Sequence, residues 1–154
     1  MFNGLLDAIF LPPRNWVLNK ALKFKSKDLN NEEIAKLTIC GVDVKDKGQN
    51  KGEITVPAGY ITDLASVPRI CWAFIAPFDV ARAAVIHDIL YEKINGAFKR
   101  GQIPTKKHRE LYRTIADNIF RQGMENSEPS VPNWKIKACY WAVRLFGGKA
   151  AKPE

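Results

Sequence analysis

The groups best suited to acid–base chemistry are an imidazole and a carboxylate side by side in His87-Asp88-Ile89-Leu90-Tyr91. A second carboxylate, Asp117, stands in Ala116-Asp117-Asn118-Ile119-Phe120. Both stretches are otherwise apolar, where polar groups cost free energy unless they are paired. On a helix His87 and Tyr91 share a face, whereas Asp88 is turned by about 100° from His87. The two neighbours therefore serve different partners, and Asp117, from a second helix, is the expected partner of the imidazole. An aspartate so placed fixes the tautomer of the ring and stabilises its protonated form. His87 would then act as general base on a water, with Tyr91 completing the network. Arg113, one turn before Asp117, would neutralise the carboxylate, and Asp88 would be free to hold a cation or a loop. The competing reading is a buried hydrogen-bond network that locks two helices and the Asp63 turn together. For the enzyme reading the dyad must lie at the floor of an open cleft.

A second candidate is Asp63-Leu64-Ala65-Ser66-Val67-Pro68-Arg69. Asp63 and Ser66 suit Asx and Ser/Thr turns, in which a short polar side chain bonds a nearby backbone N–H. Ser66 as a nucleophile would need a base beside it, and no strand-to-helix elbow motif surrounds it. Arg69 could pair with Asp88 or Asp63, or face a phosphate. His108, in Lys-Lys-His-Arg-Glu, reads as a surface residue. Two histidines without Cys/His spacing argue against a structural zinc site, and no glycine-rich phosphate loop is found.

The elements that must position these groups follow from patterning. Residues 1–36 read as an irregular N-terminal segment, in which Phe2, Leu5, Leu6, Ile9 and Phe10 have the spacing of a short amphipathic helix. Residues 37–69 are β-rich, with Leu37–Val44 and Gly52–Pro57 forming a hairpin across the polar turn Lys45–Lys51. Residues 79–148 are helical. One helix is N-capped by Asp79, runs to about Lys93 and stops at Asn95-Gly96. A second opens at Pro104-Thr105, and a third runs from Asn133 to Gly147-Gly148. Residues 149–154 form a tail. Strands first and helices afterwards make an α+β fold, and 154 residues without a linker make a single domain.

Composition narrows the function classes. Hydrophobic residues are 46% and charged residues 26%, ordinary for a globular protein. Three cysteines in apolar stretches read as packed, reduced thiols, in keeping with folding in a reducing cytoplasm. No window reaches the roughly 18 apolar residues of a membrane span, and the N-terminus lacks the marks of a signal peptide. A net charge of +8, from 24 basic against 16 acidic residues, favours anionic partners. The basic residues are scattered, and no nucleic-acid-binding signature accompanies them.

Two resemblances bear on these residues. VPAGYITDLASVPR, AAVIHDILYE, RTIADNIFRQGM and YWAVRLFG, in this order, resemble a small family of tailed phages and prophages that carries a domain of unknown function. The shared patterns are D-x-x-S-[VI]-P-R, HD-x-LY and R-x-x-x-D-x-[IL]-F, over roughly residues 55–148. This resemblance implies a phage or prophage origin. The HD-x-x-Y helix and the later A-D-x-x-F helix are also similar to the catalytic helices of secretory phospholipases and of the lipase domain of parvovirus capsid proteins. That similarity implies a phospholipase-like helix pair with His87 as general base, Asp88 as a carboxylate ligand of calcium, and Tyr91 and Asp117 orienting the base. The glycine-rich calcium loop of those enzymes has no counterpart in Trp72-Ala73-Phe74-Ile75-Ala76-Pro77-Phe78.

Two functions are thus expected. One is a phage-encoded hydrolase of host-envelope ester or amide bonds, acting on lipid or peptidoglycan. The other is a non-enzymatic virion, tail or assembly component, associated with other phage structural proteins, in which the His/Asp/Tyr cluster is a structural lock.

Overall fold

The computed structural model describes residues 1–69, 71, 77–127 and 130–150. In chain order the elements are strands β1 (Ala8–Leu11), β2 (Asn15–Leu18) and β3 (Leu22–Lys25), helix α1 (Asn31–Ile39), strands β4 (Val44–Asp46), β5 (Gly52–Val56) and β6 (Ile61–Thr62), and helices α2 (Pro77–Lys99), α3 (Lys106–Glu125) and α4 (Asn133–Ala150). This is an α+β fold, with small antiparallel sheets followed by three helices.

Two three-stranded sheets form, ordered β1-β2-β6 and β3-β5-β4. In the second sheet Leu22 faces Val56 and Phe24 faces Ile54, so alternate residues of both strands point into the core. The expected hairpin forms only in part: β5 lies where Gly52–Pro57 was expected, but its partner is β4 at Val44–Asp46, with Asp46 opposite Gly52, and not Leu37–Val44, whose first residues are helical. Gly52 is required there, because a Cβ would come within 2.5 Å of the Leu29 side chain.

Five expectations are corrected. Residues 31–39 are not irregular chain running into a strand but a helix. Asn30 and Glu33 close a reciprocal capping box, and Ile34 and Leu37 are buried beneath it. The apolar N-terminal residues do not form a helix either: Ile9 and Phe10 lie in β1, where pairing with β2 satisfies the backbone. Helix α2 begins at Pro77, not at Asp79, since proline is tolerated in a first turn. It also runs through Asn95-Gly96 to Lys99, because Ile94 and Ala97 are fully buried and packing outweighs the glycine. Its true stop is Gly101, at φ +78°, where Gln102 N–H bonds the Ala97 carbonyl and Gly101 N–H that of Phe98. Helix α3 opens where expected, after Pro104-Thr105, with Thr105 as its N-cap. Helix α4 passes the Gly147-Gly148 stop to Ala150, and the expected tail lies outside the described residues from 151 onwards.

The core has two clusters, and α2 and α3 feed both. Val85, Ile86, Leu90, Ile115 and Ile119 pack with the β3-β5-β4 sheet and α1. Val80, Ala83, Ala84, Phe120 and Met124 pack with Ile136, Cys139 and Val143 of α4. The helices approach closely at Gly123, whose missing side chain leaves room for Ala83. Cys40, Cys71 and Cys139 are buried free thiols. The outer face of α4 leaves Trp134, Trp141, Leu145 and Phe146 exposed. Among the described residues no helix is long and apolar enough to cross a membrane.

Candidate functional site

Helix α2 carries His87 and Tyr91 one turn apart on the face turned to α3, so both reach Asp117. His87 Nε2 lies 2.7 Å from Asp117 Oδ1, and Tyr91 OH donates to the same oxygen at 2.6 Å. The other carboxylate oxygen accepts from Arg144 NH1 of α4 at 2.7 Å. An ionised carboxylate only accepts, so Nε2 carries a proton. The second ring nitrogen, Nδ1, meets Ser66 Oγ at 3.0 Å. The imidazole is packed against the rings of Tyr91 and Phe120, at 4.1 and 4.9 Å between centroids.

Electrostatics follow from this wiring. Burial raises the Asp117 carboxyl. Hydrogen bonding and charge from His87, with the bonds from Tyr91 and Arg144, outweigh it and hold the group below the usual aspartate range. Burial and then the Asp117 charge push the Tyr91 phenol up. Tyr91 therefore serves as a fixed hydrogen-bond donor.

His87 and Asp117 are 0% exposed, Tyr91 3% and Ser66 5%. Both ring nitrogens of His87 are occupied by protein groups, and no described member of the cluster is left without a partner. The dyad is therefore sealed, not at the floor of an open cleft.

Asp88 leaves the helix in the other direction, as helical geometry requires. Its Oδ2 accepts from Thr62 Oγ1 and shares with Glu92 the single proton of the Tyr60 hydroxyl, which lies 3.2 Å from Asp88 and 2.8 Å from Glu92. Burial and the Asp88 charge push the Tyr60 phenol up. Hydroxyl donors turned towards Asp88 leave fewer lone pairs for a hard cation, which wants six to eight oxygens. No cluster of three or more His, Cys, Asp or Glu side chains forms among the described residues. The donors around Asp88 thus do not fit the calcium role implied for it.

The remaining expectations sort as follows. Asp63 builds its turn, accepting from Ala65 N–H at 2.9 Å. Ser66 does not cap local backbone; its hydroxyl turns inward to His87. Leu64 between them takes φ +59°, a costly backbone for a branched side chain. Arg113 does not neutralise Asp117. It bonds Glu110, the Tyr91 hydroxyl and the Val143 carbonyl instead, because it lies along α3 towards α4. Arg144 takes the expected place of Arg113, and sequence reasoning missed it, although it sits inside the quoted YWAVRLFG segment. Arg69 makes no ion pair among the described residues. His108 is exposed, beside its cap Thr105. The segment 72–76 that would replace a calcium loop lies outside the described residues.

Comparison with known proteins supplies a family but no activity. Over 95 residues the chain is 35% identical to the uncharacterized protein y4jT of Sinorhizobium fredii (strain NBRC 101917 / NGR234). The match covers 60% of the chain but only 23% of that protein's length. No solved structure matches. Residues 41–143, which contain the entire His87/Asp117 cluster except Arg144, match the family described as "Protein of unknown function (DUF1353)", and the chain belongs to that family.

Proposed function

We propose that the protein is a non-enzymatic phage or prophage component, of the virion or of its assembly. In this reading the His/Asp/Tyr cluster is a lock that shapes a binding surface. One observation carries it: His87 and Asp88 diverge on α2, yet both grip the same short segment. His87 holds Ser66, and Asp88 holds Thr62 and Tyr60. The adjacent pair thus staples Tyr60–Arg69 onto the helix, and that segment forms one wall of an open groove. Complete burial and complete pairing of the cluster support structure over turnover. The phage setting rests on the four ordered motifs.

A second reading is favoured by one feature. Ser66 Oγ, His87 and Asp117 form a hydroxyl–imidazole–carboxylate relay, the order a hydrolase of envelope esters or amides would use. It would require Tyr60–Arg69 to swing away from α2.

One set of measurements separates the two. In the lock reading His87→Ala leaves Ser66 and one Asp117 bond unpaired, lowers stability by about 1–3 kcal/mol and speeds hydrogen exchange across residues 60–69. Wild-type protein hydrolyses neither mixed phospholipids nor peptidoglycan, with or without calcium. Hydrolysis by the wild type that His87→Ala abolishes, or a variant with unchanged stability and exchange, would overturn it.

A further inference from the structure

The groove beside the stapled segment has a volume of about 870 Å³, within the range of small-molecule sites. Its floor and walls are apolar, with Leu5, Leu6, Trp16, Leu64, Val67 and Val85 among them. Two of these groups face solvent although they are large and apolar: Leu5 is 89% and Trp16 38% exposed. Each strand of the β1-β2-β6 sheet contributes to the lining of the groove, through Ala8, Trp16, Leu18 and Thr62. Trp16 of the lining stands opposite Thr62 on one side and Phe10 of β1 on the other, the Phe10 and Trp16 rings 4.9 Å apart.

Charge marks the same place. Among the described residues, Arg14, Arg69 and Arg82 line the groove against a single carboxylate, Asp63, which is turned to its own loop. Arg82 is fixed by its bond to the Gly4 carbonyl and by the Phe2 ring beneath it. Arg14 and Arg69 have no carboxylate within ion-pair distance among the described residues. An apolar trough edged by cations discriminates among ligands. A nucleic acid would find phosphate contacts but no use for an aliphatic floor. A peptide strand would want unpaired backbone along the trough, and this lining offers side chains instead.

We propose that this groove binds a single-chain anionic lipid, with the acyl chain laid along Leu5, Trp16, Leu64 and Val67 and the charged head held by Arg14 and Arg69. The inference rests on the reading of Tyr60–Arg69 as a fixed wall, since that segment supplies Leu64, Val67 and Arg69. Apolar burial supplies the affinity and the arginines select the head group.

Full-length protein would be titrated with 1-palmitoyl-lysophosphatidylglycerol below its micelle concentration, and with the phosphatidylcholine analogue. Native mass spectrometry and tryptophan fluorescence read the complex. A saturable one-to-one complex is expected with the glycerol lipid, bound at least about tenfold more tightly than the zwitterionic one. Arg69→Glu and Leu5→Asp, both at exposed positions, each weaken it at least about tenfold, and Trp16→Phe removes the fluorescence change. Equal binding of both lipids, adsorption to phosphatidylglycerol vesicles without a monomer complex, or variants that bind like the wild type overturn the proposal. Failure of the wall is read separately: a groove that binds lipid while His87→Ala keeps normal exchange at residues 60–69 refutes the lock and leaves the lipid site standing.

Discussion

Replacing Asp117 by asparagine keeps the shape of the side chain and removes its charge, which isolates what the carboxylate contributes. In the fold Asp117 Oδ1 accepts from His87 and Tyr91, and Oδ2 from Arg144. A hydrogen bond to a charged group contributes about 1.5–3 kcal/mol and a neutral one about 0.5–1.5. The two fully buried bonds therefore lose about 2–3 kcal/mol together. The Arg144 end adds less, because that side chain is 21% exposed and can turn to solvent or to Glu110. A total of about 2–4 kcal/mol lowers the melting temperature of a chain of this size by roughly 5–15 °C. The sign of the pH dependence follows from the depressed carboxyl. Its stabilisation is complete above the ordinary value of 3.8 and is lost as pH falls through the lower folded value. Asparagine has no such titration, so the gap between the two proteins closes in acid. Urea unfolding of both proteins at pH 7 and down a series below pH 4 measures this. A gap at pH 7 within the roughly 0.5 kcal/mol typical of surface substitutions, or one that fails to shrink in acid, would refute the reasoning.

Two glycines give further checks. In Gly123→Ala the new Cβ would sit 2.8 Å from the Ala83 Cβ and 3.3 Å from its backbone Cα, so α2 and α3 must move apart. Overpacking costs about 1–3 kcal/mol, against up to about 1 regained in helix propensity; a net loss of about 1–2 should appear in urea unfolding, and a stabilised variant would contradict the close approach. Gly101→Ala meets no atom within 4 Å but keeps φ +78°. It should cost about 1–2 kcal/mol from backbone strain alone, and an unchanged thermal midpoint would mean that α2 ends elsewhere.

How much of this was legible in the sequence varied with the origin of each signal. Helical spacing alone predicted that His87 and Asp88 would diverge and that Asp117 would meet the imidazole, because both inferences depend only on the angle per residue. The strand at Gly52–Val56 and the opening of α3 after Pro104-Thr105 were legible from local signals, whereas the partner strand, expected at Leu37–Val44, forms at Val44–Asp46. Helix α1 could have been read from Asn30 and Glu33, three apart before Ile34 and Leu37, but the β-branched run after Leu37 drew attention first. The length of α2 was hidden, since Gly96 reads as a stop until the burial of Ala97 is known. Ser66 reads as a turn residue because its partner lies 21 positions along the chain. Arg113 was legible as a candidate partner of Asp117 because it lies one turn away on the same helix, whereas Arg144 comes from α4, whose packing the sequence does not reveal. Gln122 escaped notice altogether, although its side chain ties α3 to Ser26 and to the backbone of Lys27 and Asp28.

Because α2 and α3 each contribute to both hydrophobic clusters, the two cores share their supporting rods. The helix that backs the β3-β5-β4 sheet at Leu90 backs α4 at Ala83, and α3 does the same at Ile119 and Met124. Melting either core would strip the packing from helices the other needs, so neither has an independent melting point. Cooperativity of this kind turns a two-layer architecture into one thermodynamic unit. A defect in the groove wall and a defect beneath the far sheet therefore report through the same unfolding transition.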